Sequence, residues 1–304
     1  MTAASDYDVV IVGAGPAGSA AAIVLCQGGL RVALVDLPVT DTLKVGESLP
    51  GAIVRLLQRI GIHNLDALLT EDDYIPCVAN ASAWDTPHWS YKDALANPEN
   101  GGWHIKRQQF DTALRQAAIA AGAELLIGRV NTVQTQSLDG YQINFHDEKS
   151  GTDAIVQGGW VIDASGRRGV VARQLGGRYQ RVQEQLAAVG WFYCSPDDQE
   201  QMTRVKTVND GWWYTARIPG GMRVAVFHGN AESVATLVRD AESFTAAYQA
   251  AELLPFDWES PQLVQKPFAC DAGIKRLQPA GAERWLAVGD AVLAFDPLLV
   301  VHHF

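Results

Sequence analysis

The sequence predicts an α/β protein in which a mostly parallel sheet with covering helices is interrupted by a second, mostly antiparallel sheet. Two observations carry this prediction. The first 36 residues contain a strand, a glycine-rich turn, a helix and a second strand, and residues 180–268 are rich in β-forming runs with a hairpin signal. With 304 residues, 48% of them hydrophobic, the chain can bury one large core or two moderate ones.

The amino-terminal segment YDVVIVGAGPAGSAAAIVLCQGGLRVALVD reads as a βαβ unit. Val9–Val12 form an apolar run typical of a parallel strand that is covered on both faces. The GAGPAG turn then follows the G-x-G-x-x-G pattern, which permits a tight turn, close backbone approach to a pyrophosphate and tight helix–strand packing. The residues that this turn would place at the phosphates are Gly13, Gly15, Pro16, Ala17 and Gly18.

The second strand of this unit, Leu30–Val35, ends at an acidic residue. Asp36 lies 18 residues past Gly18, close to the spacing expected for a carboxylate that contacts a ribose hydroxyl. The unit therefore predicts a Rossmann-like dinucleotide-binding domain. An acid at this position disfavours a 2′-phosphate, but it does not separate FAD from NAD.

The segment VGESLPGAIVRLLQRIGI predicts a short turn and an amphipathic helix, with Ser48 as its N-cap and Gly61 as its stop. Glu47 has two interpretations here: it faces a cofactor, or it complements the helix dipole. Gly46 belongs to the same turn.

Three later segments bring charged residues to helix and strand ends. Arg107 precedes a predicted helix, where a cation opposes the helix dipole, so the cofactor pyrophosphate is a candidate partner and an exposed loop arginine is the alternative. The strand WVID ends at Asp163, and the strand WLAVG ends just before Asp290. Open α/β sheets bind ligands at this carboxyl edge.

Together these segments resemble the flavin-dependent monooxygenase and tryptophan-halogenase-like superfamily. The matching stretches are GAGPAG at 13–18, VGESLP at 45–50, GWHIKRQQFD at 102–111, DASGRRG at 163–169 and VGDAVLAFDPL at 288–298. Within the superfamily the chain is most similar to bacterial maturases, flavoproteins that help convert a tryptophan of a partner oxidase, such as a glycine or lysine oxidase, into a quinone cofactor.

The resemblance implies FAD as the cofactor and a Rossmann-like FAD-binding domain of the GR2 type with an inserted β-sheet substrate domain. The predicted FAD-binding domain is discontinuous, covering residues 1–75, 105–179 and 269–304, and the substrate or partner domain covers 76–104 and 180–268. No catalytic residue is assigned. The predicted cofactor-binding residues are Gly13, Gly15, Pro16, Ala17, Gly18, Asp36, Gly46, Glu47, Ser48, Arg107, Asp163, Gly289, Asp290 and Pro297.

The inserted module holds most of the nine tryptophans. The run GWWYTARIPGGMRVAVFHG predicts a hairpin about Pro219–Gly221, and residues 231–254 predict a helix. The tryptophans either line a slot for a flat aromatic substrate or pack in the core. His104 and His228 are acid–base candidates, although a lone histidine is more often structural.

Flavin chemistry has to supply the reaction, because the sequence shows no metal-ligand spacing and no G-x-S-x-G nucleophile motif. We expect monooxygenation of an aromatic small molecule or of a partner protein. The expected electron donor is NAD(P)H or a separate flavin reductase. Halogenation is disfavoured because the W-x-W-x-I-P stretch of halogenases is replaced by residues 214–219, YTARIP, and no lysine lies between Lys44 and Lys92.

A third hypothesis is a flavin-binding or partner-binding protein without turnover. After Asp296-Pro297-Leu298 the sequence reads LVVHHF, without the glycine-containing loop that the resembled family places there. We expect from this a shortened carboxyl-terminal region that leaves the adenosine half of the site intact and the redox half incomplete.

Composition excludes several other classes. The net charge of −10 disfavours nucleic-acid binding, and no apolar run approaches the roughly 18 residues that span a bilayer. The four cysteines are widely spaced and the amino terminus lacks an export signal. We expect a cytoplasmic protein with reduced thiols, no metal site and no membrane partner.

Overall fold

A computed structural model describes residues 6–40, 42–93, 101–136 and 140–296. In these ranges the chain forms twenty strands and six α-helices. The strands are β1 Tyr7–Val12, β2 Val32–Asp36, β3 Ser48–Pro50, β4 Tyr74–Cys77, β5 Ala79–Ala83, β6 Ser90–Asp93, β7 Gly102–Ile105, β8 Glu124–Gln136, β9 Gly140–Asp147, β10 Thr152–Asp163, β11 Arg178–Gln183, β12 Leu186–Tyr193, β13 Met202–Val208, β14 Gly211–Ile218, β15 Met222–Gly229, β16 Phe268–Asp271, β17 Ile274–Gln278, β18 Gly281–Ala282, β19 Trp285–Ala287 and β20 Leu293–Ala294. The helices are α1 Pro16–Gln27, α2 Ile53–Arg59, α3 Arg107–Ala120, α4 Val170–Gln174, α5 Ala231–Leu237 and α6 Ala241–Ala250.

The chain divides into two compact units. The first unit comprises residues 1–42, 110–182 and 274–295, and the second comprises 43–109, 183–273 and 296–304. Residues 43–75 thus cluster with the second unit, whereas the predicted domains place them with the first. The predicted functional boundaries stay a prediction.

The first unit is built on a seven-stranded sheet in the order β1-β2-β8-β9-β10-β19-β18, in which β1 also pairs with β10. The pairs of β1 with β2 and β10, of β2 with β8 and of β10 with β19 are parallel. Because Val12 lies opposite both Val35 and Asp163, and Asp163 lies opposite Ala287, four strands end at one edge. This edge carries the predicted site residues of the unit.

The second unit holds a seven-stranded sheet in the order β16-β12-β15-β14-β13-β5-β6. Its pairs are antiparallel except for β5 with β13. The hairpin of β14 and β15 turns at residues 219–221, as predicted. One face packs on α5 and α6 around Phe192, Trp213 and Phe244, and the other face buries Trp191, Ala216 and Val226. The predicted α/β class with an added antiparallel sheet is confirmed.

Two predicted helices were wrong in detail. Ser48 is not an N-cap, because it lies in β3, which pairs with β7, and α2 begins only at Ile53. Pro50 explains the difference, since a proline holds the preceding residue in an extended conformation. Residues 231–254 form two helices, because the Asp240 side chain accepts a hydrogen bond from the Ser243 amide and starts α6 anew.

Candidate functional site

The glycine turn between β1 and α1 has no room for side chains at two of its three glycines. Gly13 has a φ of +105°, and its amide donates to the Val35 carbonyl over 2.8 Å. A Cβ atom at Gly13 would come within 3.0 Å of the Ala164 carbonyl, and one at Gly18 would come within 3.0 Å of the Gly13 carbonyl. The turn therefore depends on these two glycines sterically.

Gly15 differs, because a Cβ atom there would meet nothing within 4 Å. It precedes Pro16 at the first position of α1, which has no side-chain cap and no acidic residue in its first turn. The first amides of a helix carry partial positive charge and lack intrahelical partners. The open space at Gly15 thus fits an anionic group close to the backbone, as the pyrophosphate of FAD requires.

A cleft opens at the same sheet edge, and all of its lining belongs to the first unit. It is lined by Val12, Gly13, Val35, Asp36, Leu37, Gly128, Arg129, Val130, Ser165, Arg168 and Val170. Two predicted residues, Gly13 and Asp36, therefore come together here. Arg129, Ser165 and Arg168 were not predicted, although GRV at 128–130 and GRRG at 166–169 place cations beside glycines, which is a usable signal for anion binding.

Asp36 is paired with a residue that the sequence did not single out. Arg115 of α3 donates from Nη2 to Asp36 Oδ2 over 2.6 Å, and the two side chains are 8% and 17% exposed. The carboxylate at the end of β2 is therefore oriented by the protein itself. Its contact with an adenosine ribose stays a prediction.

Asp163 supports the turn after β10 rather than standing open to a ligand. Its Oδ1 accepts from the amide and the hydroxyl of Ser165 at 3.0 and 2.5 Å. Its Oδ2 accepts from the amides of Val171 and Ala172 at 2.9 and 2.8 Å. Four donors occupy the lone pairs of this fully buried carboxylate. Asp163 thus holds Ser165 at the cleft and caps α4, and a direct cofactor contact stays a prediction.

The turn Gly289–Ala291 follows β19 at the same edge. Gly289 has a φ of +59°, and a Cβ atom there would lie 2.7 Å from the Cβ of Ala17 in α1. Asp290 is exposed at this turn. The predicted residues Ala17 and Gly289 are therefore neighbours, and Asp290 is open to a partner. Pro297 lies outside the described residues.

Tyr179 of β11 braces this turn. Its hydroxyl donates to the Ala291 carbonyl over 2.6 Å, and two cations lie near its ring, with Arg173 Cζ at 4.8 Å and Lys275 Nζ at 5.0 Å from the ring centroid. Burial, together with the negative charge of Asp163, raises the pKa of Tyr179 to about 12. The hydroxyl is thus a neutral donor at physiological pH.

The other predicted cofactor residues lie in the second unit. Arg107 donates from Nη1 to the carbonyls of Val45 and Gly46 at 3.0 and 3.4 Å, and Gly46 has a φ of +93°. The structure thus places Arg107 at the first residue of α3, partly buried, with backbone partners in the turn before β3. A pyrophosphate contact of Arg107 stays a prediction.

Glu47 is the least expected side chain in this turn. It is 3% exposed, and its Oε1 has no hydrogen-bond partner among the residues that the structure describes. Burial raises the pKa of Glu47 to about 7, against the opposing effects of hydrogen bonds from the Glu47 and Gly46 backbone and of the charge of Arg107. Next to it in sequence, the Ser48 hydroxyl shares a 2.7 Å hydrogen bond with the Tyr214 hydroxyl. A buried carboxyl with an open oxygen can hold a proton for a ligand.

Both acid–base candidates among the histidines are buried and neutral. Burial lowers the pKa of His104 to about 3, and its Nε2 shares a 2.9 Å hydrogen bond with the Thr203 hydroxyl. Burial also lowers the pKa of His228 to about 3, and its ring stacks on Trp212 with centroids 3.9 Å apart. Neither is a cationic acid at neutral pH.

The tryptophans of the second unit differ in burial, and a slot for an aromatic substrate stays a prediction. Trp213 and Trp258 pack among Phe192, Phe244 and Tyr248 in the core against α5 and α6. Trp212 lies on the other sheet face, and the half-exposed Trp84 stands 6.3 Å from it, measured between ring centroids. In the described ranges no cluster of metal-ligating side chains occurs, and no helix there is long and apolar enough to cross a membrane.

Comparisons with known proteins agree with this geometry. The profile of the FAD binding domain family matches residues 6–249. The chain is 25% identical over 297 residues to the FAD-dependent oxidoreductase LodB of Marinomonas mediterranea, covering 96% of this chain and 79% of LodB. It is 27% identical over 260 residues to the flavin-dependent halogenase armH3 of Armillaria mellea, covering 78% of this chain and 47% of that protein.

Solved structures share the fold. A flavoprotein/dehydrogenase from Cytophaga hutchinsonii has a TM-score of 0.83 at 19% identity, covering 96% of this chain and 73% of its own. The peptidyl tryptophan dihydroxylase QhpG has a TM-score of 0.71 at 24% identity, covering 97% and 62%. The chain belongs to the FAD binding domain family, and it is an FAD-dependent oxidoreductase of the monooxygenase and halogenase-like type.

Proposed function

We propose that the chain is a monooxygenase that hydroxylates an indole-like ring, and that this ring is a tryptophan side chain of a partner protein during quinone cofactor formation. The observation that carries the proposal is the aromatic row of Trp84, Trp212 and His228 on one face of the second unit's sheet. Flat rings recognise flat rings by stacking at little entropic cost. The resemblance to quinone-cofactor maturases supports the same substrate, while the likeness to QhpG concerns the fold.

The residues of the first unit fit the nucleotide half of FAD. Gly15 and the first turn of α1 would hold the pyrophosphate, and Asp36 would hold the adenosine ribose. When bound, FAD supplies the redox chemistry by passing electrons from a donor to dioxygen and an oxygen atom to the ring.

The second unit supplies what the ring needs from the protein. The exposed Trp84 would orient it by stacking, with the buried Trp212–His228 pair behind it, and the buried sheet face around that pair would exclude water. Glu47 would hold or accept a proton at Oε1, next to the Ser48–Tyr214 hydrogen bond. We propose NAD(P)H or a separate flavin reductase as the electron donor.

The first experiment is the visible absorption spectrum of the purified protein before and after addition of FAD and of dithionite. We expect one reducible flavin per chain. The protein is then incubated with NADH, NADPH or a flavin reductase, and with tryptophan, indole or a tryptophan-containing peptide. Gain of an oxygen atom by mass spectrometry supports the proposal. Bound, reducible flavin with no oxygenated product from any of these would leave the chain a binding protein without turnover.

Halogenation is the second candidate, because relatives such as armH3 are halogenases. Tyr214 and Ala216 occupy β14 where halogenases carry the two tryptophans of W-x-W-x-I-P. We therefore expect no chlorinated or brominated product when halide is added to the same incubations. A halogenated ring would replace monooxygenation as the assignment.

A further inference from the structure

We infer that Arg115 is a positioning residue for nucleotide recognition. It orients the Asp36 carboxylate, so that the ion pair, rather than the acid alone, recognises the adenosine ribose of FAD. The inference rests on the proposed role of Asp36 in holding that ribose, and it is independent of the aromatic substrate.

The geometry of the pair is that of a built site. Arg115 lies on the buried side of α3, beside Leu114 and Ala118, so its backbone is held in the core. Its Nη2 reaches Asp36 Oδ2 at 2.6 Å, which is short for a hydrogen bond between a cation and a carboxylate. The carboxylate keeps a second oxygen, and Asp36 lines the cleft together with Gly13 and Leu37.

Charge explains why an arginine belongs behind this acid. FAD brings an anionic pyrophosphate to a cleft that is lined by Arg129 and Arg168 but also by Asp36, whose negative charge opposes the pyrophosphate. Arg115 offsets the charge of Asp36 without itself lining the cleft. An arginine does this better than a lysine, since a guanidinium keeps its charge when buried and holds a carboxylate in a defined orientation.

Burial separates this pair from an ordinary ion pair. The Asp8–Arg31 pair of the same unit has a similar 3.0 Å contact, but its side chains are 39% and 59% exposed. Exposed pairs of that kind contribute little, whereas removing one partner of a buried pair leaves the other uncompensated. Arg115 also has an Nε atom without a hydrogen-bond partner in the described part of the chain.

The test measures binding to the apoprotein, not turnover. FAD affinity is obtained from the quenching of flavin fluorescence, and ADP and 2′-deoxy-ADP are compared as competitors. We expect the wild-type protein to prefer ADP. We expect Arg115→Met to bind FAD about tenfold more weakly, the scale of one hydrogen bond to a charged group, and to lose the preference for ADP. Arg31→Met removes the exposed pair and should change neither quantity.

Two further variants keep the test decisive if Arg115→Met folds poorly. Asp36→Asn is close to isosteric, and it should lose the same preference for ADP. Arg115→Lys keeps the charge, and it should restore part of the FAD affinity without the full preference. An Arg115→Met or Arg115→Lys protein that still prefers ADP as the wild type does overturns the inference, and so does a wild-type protein that binds both competitors equally.

Discussion

Glu47 is a residue whose protonation links ligand chemistry to stability. A carboxyl with 3% exposure and an open Oε1 is favoured in its neutral form, so burial raises its pKa from 4.5 to about 7. In the unfolded chain the same group ionises near its ordinary pKa. Between these two values the folded protein binds a proton that the unfolded chain has released. The contribution of Glu47 to the unfolding free energy is thus fully present below about pH 4.5. It decreases as the pH rises towards 7, and above about pH 7 it no longer changes with pH.

We predict that Glu47→Gln removes this part of the pH dependence. The wild-type protein should lose about 3 kcal/mol of unfolding free energy from Glu47 between pH 4.5 and pH 8, and the variant should not. Urea denaturation of both proteins at pH 5, 6.5 and 8 measures the difference between them. Parallel curves for the two proteins across this range would contradict the assignment of Glu47 as the titrating group.

His228 acts in the opposite direction. Burial lowers the pKa of His228 to about 3. As the pH falls below about 6.5, the histidine is therefore protonated in the unfolded chain but stays neutral in the folded protein. The contribution of His228 is present above pH 6.5 and is lost as pH falls towards 3.

We predict that His228→Phe keeps the ring stacked on Trp212 and reduces the acid sensitivity. The gain relative to the wild type should reach about 2–3 kcal/mol at pH 4.5 and vanish at pH 8. Denaturation at these two pH values is the measurement, and His63→Phe, at an exposed histidine, is the control. Equal acid sensitivity of the wild-type and His228→Phe proteins would show that His228 does not remain neutral.

Residue roles were harder to predict than residue positions. Gly13, Gly15 and Asp36 lie where the spacing placed them, because a glycine turn and a strand end are local features. The partner of Asp36 was not predicted, since Arg115 is 79 residues away and reaches it only through the packing of α3. Asp163 was predicted as a ligand residue, but its four internal donors depend on how α4 folds back.

At the scale of elements, the β1–α1 turn allows ligand binding and folding to be separated. We predict that the Gly15→Ala apoprotein keeps the thermal stability of the wild-type apoprotein, because its Cβ meets nothing within 4 Å, yet does not bind FAD. Gly18→Ala should instead be destabilised by about 3 kcal/mol, since its Cβ collides with the Gly13 carbonyl. Thermal unfolding and flavin fluorescence of both variants check this. FAD retained at one per chain by Gly15→Ala would contradict the phosphate-binding role of the turn.

The brace between β11 and the Gly289–Ala291 turn leads to another prediction. Tyr179→Phe keeps the ring beside its two cations and removes only the hydrogen bond to Ala291. We expect FAD affinity to fall severalfold and unfolding free energy to fall by about 1 kcal/mol. Binding and denaturation measurements test this, with Tyr193→Phe, at an exposed tyrosine, as the control. Wild-type values for both quantities would show that the hydroxyl does not hold the turn.

Elements were predicted well where local signals agreed and less well where they conflicted. The hairpin of β14 and β15 has a turn of proline and glycines between two β-rich runs, and it was confirmed. After Ser48 the apolar spacing predicts a helix, whereas Pro50 favours an extended chain. In the structure Ser48–Pro50 form β3, which pairs with β7. The apolar spacing after Ser48 continues into α2, where Leu56 is nevertheless 53% exposed. Tertiary pairing thus overrode periodicity there.

At the scale of the whole molecule, FAD should stabilise the folded protein by mass action. With FAD at about 100 times its dissociation constant, the gain is about 2.7 kcal/mol for a ligand that binds only the folded state. We predict a rise in melting temperature that saturates with FAD for the wild type and is absent in Gly15→Ala. Thermal scans over a range of FAD concentrations measure it. A rise of equal size in Gly15→Ala would place FAD elsewhere.

The pairing of β1 with β10 and of β10 with β19 also decides when the protein can mature during its synthesis. Val12 cannot pair with Asp163 until about 150 more residues have been synthesised, and Asp163 cannot pair with Ala287 until the chain has grown further. At ribosomal speeds of about 5–20 residues per second, the amino-terminal strand spends on the order of 10 s without β10, although its other neighbour β2 is made soon after it. The glycine turn therefore leaves the ribosome long before the rest of its sheet edge exists. The sheet edge that carries the glycine turn is complete only after the segment that contains β19 has been made.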